Sequence, residues 1–396
     1  MNENNSFFEI FPNIKRTELD PKKNFESDYE YLLRSGRDES ENVRKLIDDW
    51  YSHYPKNEKK RLKIGLNSKN DKNFNQTFYE LYIYSLCQQL DYSLIPHPNI
   101  CDVITHPDFL CKNKKGEEFF LEATTSDELS KTDFGQNKMI RSLLDSINEI
   151  ESPNFFLNVE IKGDLAKQPS SKKIKEDLSI WLQNLNQDEI SSVYLEKGIL
   201  GVPRKTLNFD PNFELVICVI PKSIQKKGRI IGSYFEGFRL VNTKELIRKA
   251  IKKRTGKYGN LKNPLLIAIN VTSLCCERED VIEALFGSIQ CAIKKASDNG
   301  DILLNERRMG DGIFSSIINT RISAVIITHN IYPWNIIHQD ICVYHNPWAK
   351  NPYSGELDKL PNMRVINKIP QWNLGCQPYQ ILKLPENWPK NPKIIY

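Results

Sequence analysis

The chain has 396 residues, 40% of them hydrophobic and 10% aromatic, which is enough to bury a real core and excludes disorder of the whole chain. No window approaches the roughly 18 unbroken apolar residues of a membrane span, and the opening MNENNSFFEIF lacks the basic start and apolar run of a secretory signal. The net charge of +5 is mild but uneven, because residues 1–50 carry 12 acids against 8 bases and leave the remainder more basic. Nine cysteines show no CxxC pair and only one adjacent pair, Cys275-Cys276, a usage that predicts reduced, buried thiols in a cytoplasmic protein and no zinc cluster.

In chain order, apolar positions between Tyr29 and Tyr51 predict two short helices, followed by a charged linker over 54–71. Residues 1–70 read as an accessory helical region without chemistry. From Phe74 to Leu90 the spacing of Phe78, Leu81, Tyr82, Ser85, Leu86 and Leu90 predicts an amphipathic helix, with Glu80 just off the apolar stripe. Pro96 and Pro98 end helical structure. HPDFLCK, a polar NKKGE turn and EFFLEATT then predict a β-hairpin. GQNKMIRSLLDSINEI (135–150) predicts a second helix and NFFLNVEIKG (154–163) a strand. Further α/β elements follow: a helix over 172–186, a strand over 213–221, a basic helix over 243–259, and a buried strand over 264–271. Next come a helix over 278–290 and strands over 321–329 and 341–345. A proline- and tryptophan-rich tail from 346 is expected to wrap the surface. The expected organisation is a core with its α/β extension over 71–300, and C-terminal strands and tail over 301–396.

The hairpin carries the chemistry. Side chains alternate faces along a strand, so Glu122 and Thr124 share one face of the second arm. His106, Asp108, Leu110 and Lys112 share one face of the first. If Asp108 lies opposite Glu122, Lys112 lies opposite Glu118 and the loop is 113–117, an acceptable hairpin loop containing Gly116. The two carboxylates then face each other at about 5 Å between Cβ atoms. Two such groups resist joint ionisation unless a cation lies between them. A hard divalent ion with oxygen ligands, Mg²⁺ with Mn²⁺ as a substitute, is the natural occupant. Such an ion activates water and stabilises charge on a phosphodiester.

HPDFL and FLEAT at this spacing, after a glutamate-bearing helix, resemble the PD-(D/E)xK nuclease superfamily. The resemblance covers about a quarter of the chain, from 74 to 162. It implies an α/β, restriction-endonuclease-like core (helix, three strands, helix, strand) with additional C-terminal α/β elements. PLLIAINV, EALFG and YHNPWA are similar to an uncharacterised bacterial group within that superfamily. The resemblance makes Asp108 and Glu122 metal ligands together with the Ala123 carbonyl, and makes Glu80 an assisting carboxylate. It implies nucleic acid, DNA in particular, as the partner, and a restriction or defence role.

One position departs from the pattern: Thr124 stands where the motif has lysine. Lys112 is four residues, about 13 Å, along the strand from Asp108 and is out of reach. Lys138 and Lys162 are therefore the expected replacements, ahead of His106. Thr124 also keeps open an alternative, a nucleic-acid-binding or assembly module that has lost cleavage. Eight Lys or Arg against the single acid Glu245 between Lys244 and Lys262 mark a phosphate-facing surface. Lys249, Lys252, Lys253, Arg254 and Lys257 are its expected contacts. The sequence leaves the oligomeric state open, a homodimer included, and gives no sign of a membrane partner.

Overall fold

The computed structural model describes residues 9–23, 26–100, 106–127, 131–163, 167–210, 213–222, 230–236, 243–255, 258, 261–272, 276–295, 302–314, 318–338, 340–367 and 369–390. The chain is a mixed α/β protein that divides into two compact units. One contains Met1–Asp20, Ser27–Glu128 and Asn242–Tyr396, the other Pro21–Glu26 and Leu129–Val241. The expected boundaries at 70 and 300 do not coincide with this division.

The first unit opens with helices α1 (Asp28–Arg34), α2 (Asp38–Ser52), α3 (Lys59–Leu66) and α4 (Asp71–Gln89). The Asn70 side chain caps α4 by accepting from the Lys72 backbone. Asp91, at φ 65°, turns the chain away at its other end. The sequence predicts one apolar stripe on this helix, but α4 is buried on every side from Phe78 to Cys87. The reason is that α1, α2 and α3 are part of the core. Val43, Ile47, Trp50, Leu62 and Leu66 share one apolar cluster with Phe78, Phe109 and Leu121. The stretch read as a linker holds α3, whose Leu62 and Leu66, four residues apart, are both fully buried.

Strands β1 (Ser93–Pro96), β2 (Phe109–Lys112) and β3 (Glu118–Asp127) form an antiparallel meander. Lys112 pairs with Glu118 and Phe109 with Leu121, which is the expected register. The 113–117 turn is built by Asn113, whose Oδ1 accepts from the backbone of both Lys115 and Glu117 at 2.9 Å. Gly116 supplies the φ of +83° that the turn requires.

After β3 the chain enters the second unit. It contains α5 (Lys131–Asn148), β4 (Phe155–Gly163), α6 (Ser171–Gln183), α7 (Gln187–Lys197), β5 (Arg204–Asp210), β6 (Phe213–Pro221) and β7 (Ile231–Glu236). Its sheet runs β5-β6-β4-β7. Leu157, Val159 and Ile161 of β4 pack with Leu143, Leu144, Ile147 and Leu178 of its helices. The expected order from 74 to 162, helix, three strands, helix, strand, is present as α4, β1, β2, β3, α5 and β4, but β4 pairs with β6 and β7 and not with the hairpin.

The first unit resumes with α8 (Thr243–Thr255), β8 (Leu265–Thr272) and α9 (Arg278–Phe286). A hairpin of β9 (Ile289–Lys295) and β10 (Ile302–Arg308) follows. Strands β11 (Ile322–His329), β12 (Ile341–His345), β13 (Asn362–Ile366) and β14 (Ile369–Asn373) and the short α10 (Pro378–Ile381) complete it. The main sheet has eight strands in the order β1-β2-β3-β8-β11-β12-β13-β14. β8 lies parallel to β3 with Glu122 opposite Ile267, so α8 is on the crossover between them. One sheet face packs on the α4 core. The other packs Ile267 and Ile269 against Ile247 and Ile251 of α8 and Leu285 of α9. The C-terminal tail does more than wrap the surface: it adds β13 and β14 and buries Leu357, Leu360, Met363 and Leu382. Among the described cysteines Cys87, Cys111 and Cys218 are buried as expected, while Cys376 is exposed. Among the described residues no helix is long and apolar enough to cross a membrane.

Candidate active site

Alternation along β3 sends Leu121 and Ala123 into the α4 core and leaves Phe120, Glu122 and Thr124 on the opposite face. Glu122 is only 1% exposed and Thr124 is buried beside it. Asp108 immediately precedes β2, one step beyond the Phe109–Leu121 pair. Its Oδ2 accepts the Ala123 backbone N–H at 2.8 Å, and its carbonyl accepts from the His97 N–H at 2.8 Å. These two bonds continue the β1-β2-β3 ladder to the point where the strands part. They fix the Asp108 carboxylate across from Glu122.

Burial raises the pKa of Asp108 well above the usual carboxylate range, and the negative charges of Glu122 and then Glu80 push the same way. The Ala123 N–H and the Arg254 guanidinium oppose the shift without cancelling it. The charges of the other two carboxylates named from the sequence are therefore both felt at Asp108.

Glu80 sits on α4, nearly buried, and accepts from Tyr54 OH at 2.7 Å and from Arg61 through both oxygens, Nη1 to Oε2 being 3.2 Å. Glu122 is held in the same manner. Tyr258 OH donates to Oε2 at 2.5 Å and Arg254 pairs with Oε1. The second Arg254 nitrogen donates to Thr124 Oγ1 at 3.0 Å. Burial raises the pKa of both tyrosines, as does the carboxylate each one faces, so both remain neutral donors. His97 is in the β1–β2 connection, at φ 45°. Burial and Arg61 lower its pKa, while Glu80, Glu58 and Glu122 oppose the shift. Its Nε2 is buried, 3.8 Å from Glu58, and has no hydrogen-bond partner among the described residues.

Arg254 was expected on the nucleic-acid surface with Lys249, Lys252 and Lys253, but it points the other way. Ile247, Ala250 and Ile251 form the sheet-facing stripe of α8, and position 254 continues it at helical spacing. Lys249, Lys252 and Lys253 lie on the outer face, exposed. Lys257 lies outside the described residues. Lys162 is near the end of β4 in the second unit, 3.7 Å from Glu160. Lys138 is in α5 of that same unit, and its side chain lies outside the described residues. Tyr54, Arg61, His97 and Tyr258 were not foreseen. The stripe of α8 was a usable signal for Arg254, but nothing local marks Tyr54, which reaches Glu80 from the connection between α2 and α3, or Arg61, which reaches it from α3.

Among the described residues no three His, Cys, Asp or Glu side chains stand close enough to enclose an ion unaided. The donor set still fits a hard cation that binds through one or two carboxylates and otherwise keeps water. Among the described residues Asp108 has no ion-pair partner, and the more distant charge of Arg254 does not cancel burial and the charges of Glu122 and Glu80. Ala123 follows Glu122 directly and already orients Asp108 through its N–H. In comparisons with known proteins, no family model, curated protein or solved structure matches the chain.

Proposed function

We propose that the first unit hydrolyses phosphodiester bonds of nucleic acid, with DNA as the substrate class, in a reaction that depends on a divalent cation. The observation that carries this reading is the seat of Asp108, one step beyond the Phe109–Leu121 pair and bonded to the N–H of Ala123 next to Glu122, where burial and then the charges of Glu122 and Glu80 raise its pKa. A restriction-endonuclease-like core is the architecture this reading assigns. Counting the second unit as an insertion, the order α4, β1, β2, β3, α8, β8 is helix, three strands, helix, strand. That order supports the reading better than the one ending in β4.

Asp108 and Glu122, with the Ala123 carbonyl, would hold Mg²⁺ or Mn²⁺. When bound, the ion supplies Lewis-acid stabilisation of the phosphodiester and activation of water. The chain's own groups orient and neutralise. The Ala123 N–H fixes the Asp108 carboxylate, and Tyr258 fixes that of Glu122. Arg61 and Tyr54 hold Glu80 in place. The exposed Lys249, Lys252 and Lys253 lie on the same helix as Arg254 and suit backbone phosphates. A restriction or defence role is the biological setting that goes with this reading.

The test is cleavage of supercoiled plasmid DNA with Mg²⁺ or Mn²⁺, comparing wild type with Asp108→Ala and Glu122→Ala. Cleavage by wild type and loss of at least ~10²-fold in each variant supports the reading. Equal inertness with persistent DNA binding supports instead a module without cleavage, which the uncharged Thr124 favours. Cleavage that is equal in all three proteins sinks the proposed site.

A further inference from the structure

Glu80 and Glu122 flank Asp108, and each has one arginine and one tyrosine as partners. The two arginines are held very differently. Arg61 engages both oxygens of Glu80, lies 3.4 Å from Tyr54 OH, and donates from Nε to Glu58 at 3.2 Å. Arg254 uses one nitrogen on Glu122 and one on the Thr124 hydroxyl. It occupies the last turn of α8, next to the exposed Lys252 and Lys253. Its side chain keeps 22% exposure over a carboxylate with 1%. Thr124 is short and uncharged, which is what lets the guanidinium come down onto Glu122.

We propose that Arg254 is a cation-released phosphate arm, which neutralises Glu122 in the cation-free protein and turns to a nucleic-acid phosphate once a divalent ion takes the carboxylates. The inference rests on reading Asp108 and Glu122 as cation ligands. Its physics is competition for one buried charge. Glu122 needs a positive partner when no ion is present. A divalent ion at the same oxygens repels the guanidinium and removes its reason to stay. A freed guanidinium is a planar donor matched to phosphate oxygens, and it lies among lysines already facing solvent. Ion binding and phosphate binding thereby become positively coupled, and the coupling is reciprocal. Tyr258 remains on Glu122 and keeps the carboxylate oriented while the arginine is away.

The experiment measures the affinity of a short DNA duplex by fluorescence anisotropy in EDTA and in Ca²⁺, and the affinity of Ca²⁺ alone by calorimetry. Wild type gains about tenfold in DNA affinity on adding Ca²⁺, within the usual range of such couplings. Arg254→Ala binds DNA in EDTA like wild type, loses the Ca²⁺ gain, and binds Ca²⁺ alone more tightly because a competing cation is gone. Glu122→Gln, which weakens the hold on Arg254 while keeping the side chain's shape, binds DNA more tightly than wild type in EDTA. Adding Arg254→Ala to it removes that increase. Equal loss of DNA affinity in EDTA and Ca²⁺ for Arg254→Ala overturns the arm, and so does wild-type behaviour of Glu122→Gln in EDTA. The Glu122→Gln measurement stands even if Arg254→Ala folds poorly. Failure of Ca²⁺ to bind wild type, or Ca²⁺ binding indifferent to Asp108→Asn, overturns the cation-site reading itself and is thereby distinct from failure of the arm alone.

Discussion

Asp108→Asn stabilises the cation-free protein. The amide has the shape of the carboxyl, and its oxygen keeps the bond from the Ala123 N–H. What it loses is a negative charge facing Glu122. At about 5 Å between facing positions and an effective dielectric constant of about 20, that repulsion is worth about 3 kcal/mol. Arg254 on Glu122 offsets part of it, leaving a gain of about 1–3 kcal/mol where Asp108 is ionised. Burial, Glu122 and Glu80 raise the folded pKa of Asp108 above its unfolded value of about 3.9. The folded state therefore binds the proton more tightly. The contribution of this group is full below about pH 4 and is lost as pH rises through the folded pKa. Asparagine has no such loss, so the gap between variant and wild type opens as pH increases and closes in acid. Urea unfolding in EDTA across pH 5 to 8.5, followed by fluorescence of the buried Trp50 and Trp388, measures that gap. A variant less stable than wild type at every pH, or a gap that does not change with pH, refutes the reasoning.

Tyr258→Phe removes a buried hydrogen bond to Glu122 and is expected to cost about 1.5–3 kcal/mol in chemical denaturation. No change in stability would mean that water or Arg254 takes over the bond. Arg61→Ala leaves Glu80 with Tyr54 alone. The expected loss is about 1–2 kcal/mol, below the ~3–5 of a fully buried pair, because the Arg61 side chain is 44% exposed. Thermal unfolding checks it. Asn113→Ala removes the acceptor that shapes the β2–β3 turn. It is expected to cost about 1–2 kcal/mol and to lower DNA cleavage by loosening the Asp108–Glu122 pairing, so an unchanged rate would show that the turn does not position the site.

The hairpin was legible because two local rules agree on it. Period-two alternation puts Glu122 and Thr124 on one face, and the NKKGE turn permits only a short loop, so the register follows. The choice of strand beside β3 was not made locally, although the sequence contained a hint. FFLNVEIKG alternates, as suits a strand open on one face, whereas LLIAINV is apolar at every position but Asn270, as suits a central parallel strand. The first is β4 of the second unit, and the second is β8 beside β3. The direction of Arg254 was likewise written in the Ile247, Ala250, Ile251 stripe, but a run rich in lysine reads first as a solvated face. Tyr54 and Arg61 reach Glu80 across 26 and 19 residues of chain. Their placement depends on α3 and the α2–α3 connection docking on α4, which no periodicity within these segments specifies.

Anomalous diffraction from crystals of the protein soaked in Mn²⁺ tests the central claim most directly. The account predicts a peak between Asp108 and Glu122, with oxygen ligands at about 2.0–2.3 Å, and the Arg254 guanidinium withdrawn from Glu122. Full Mn²⁺ occupancy elsewhere with the Arg254–Glu122 pair intact, or no ordered Mn²⁺ at all, would contradict it.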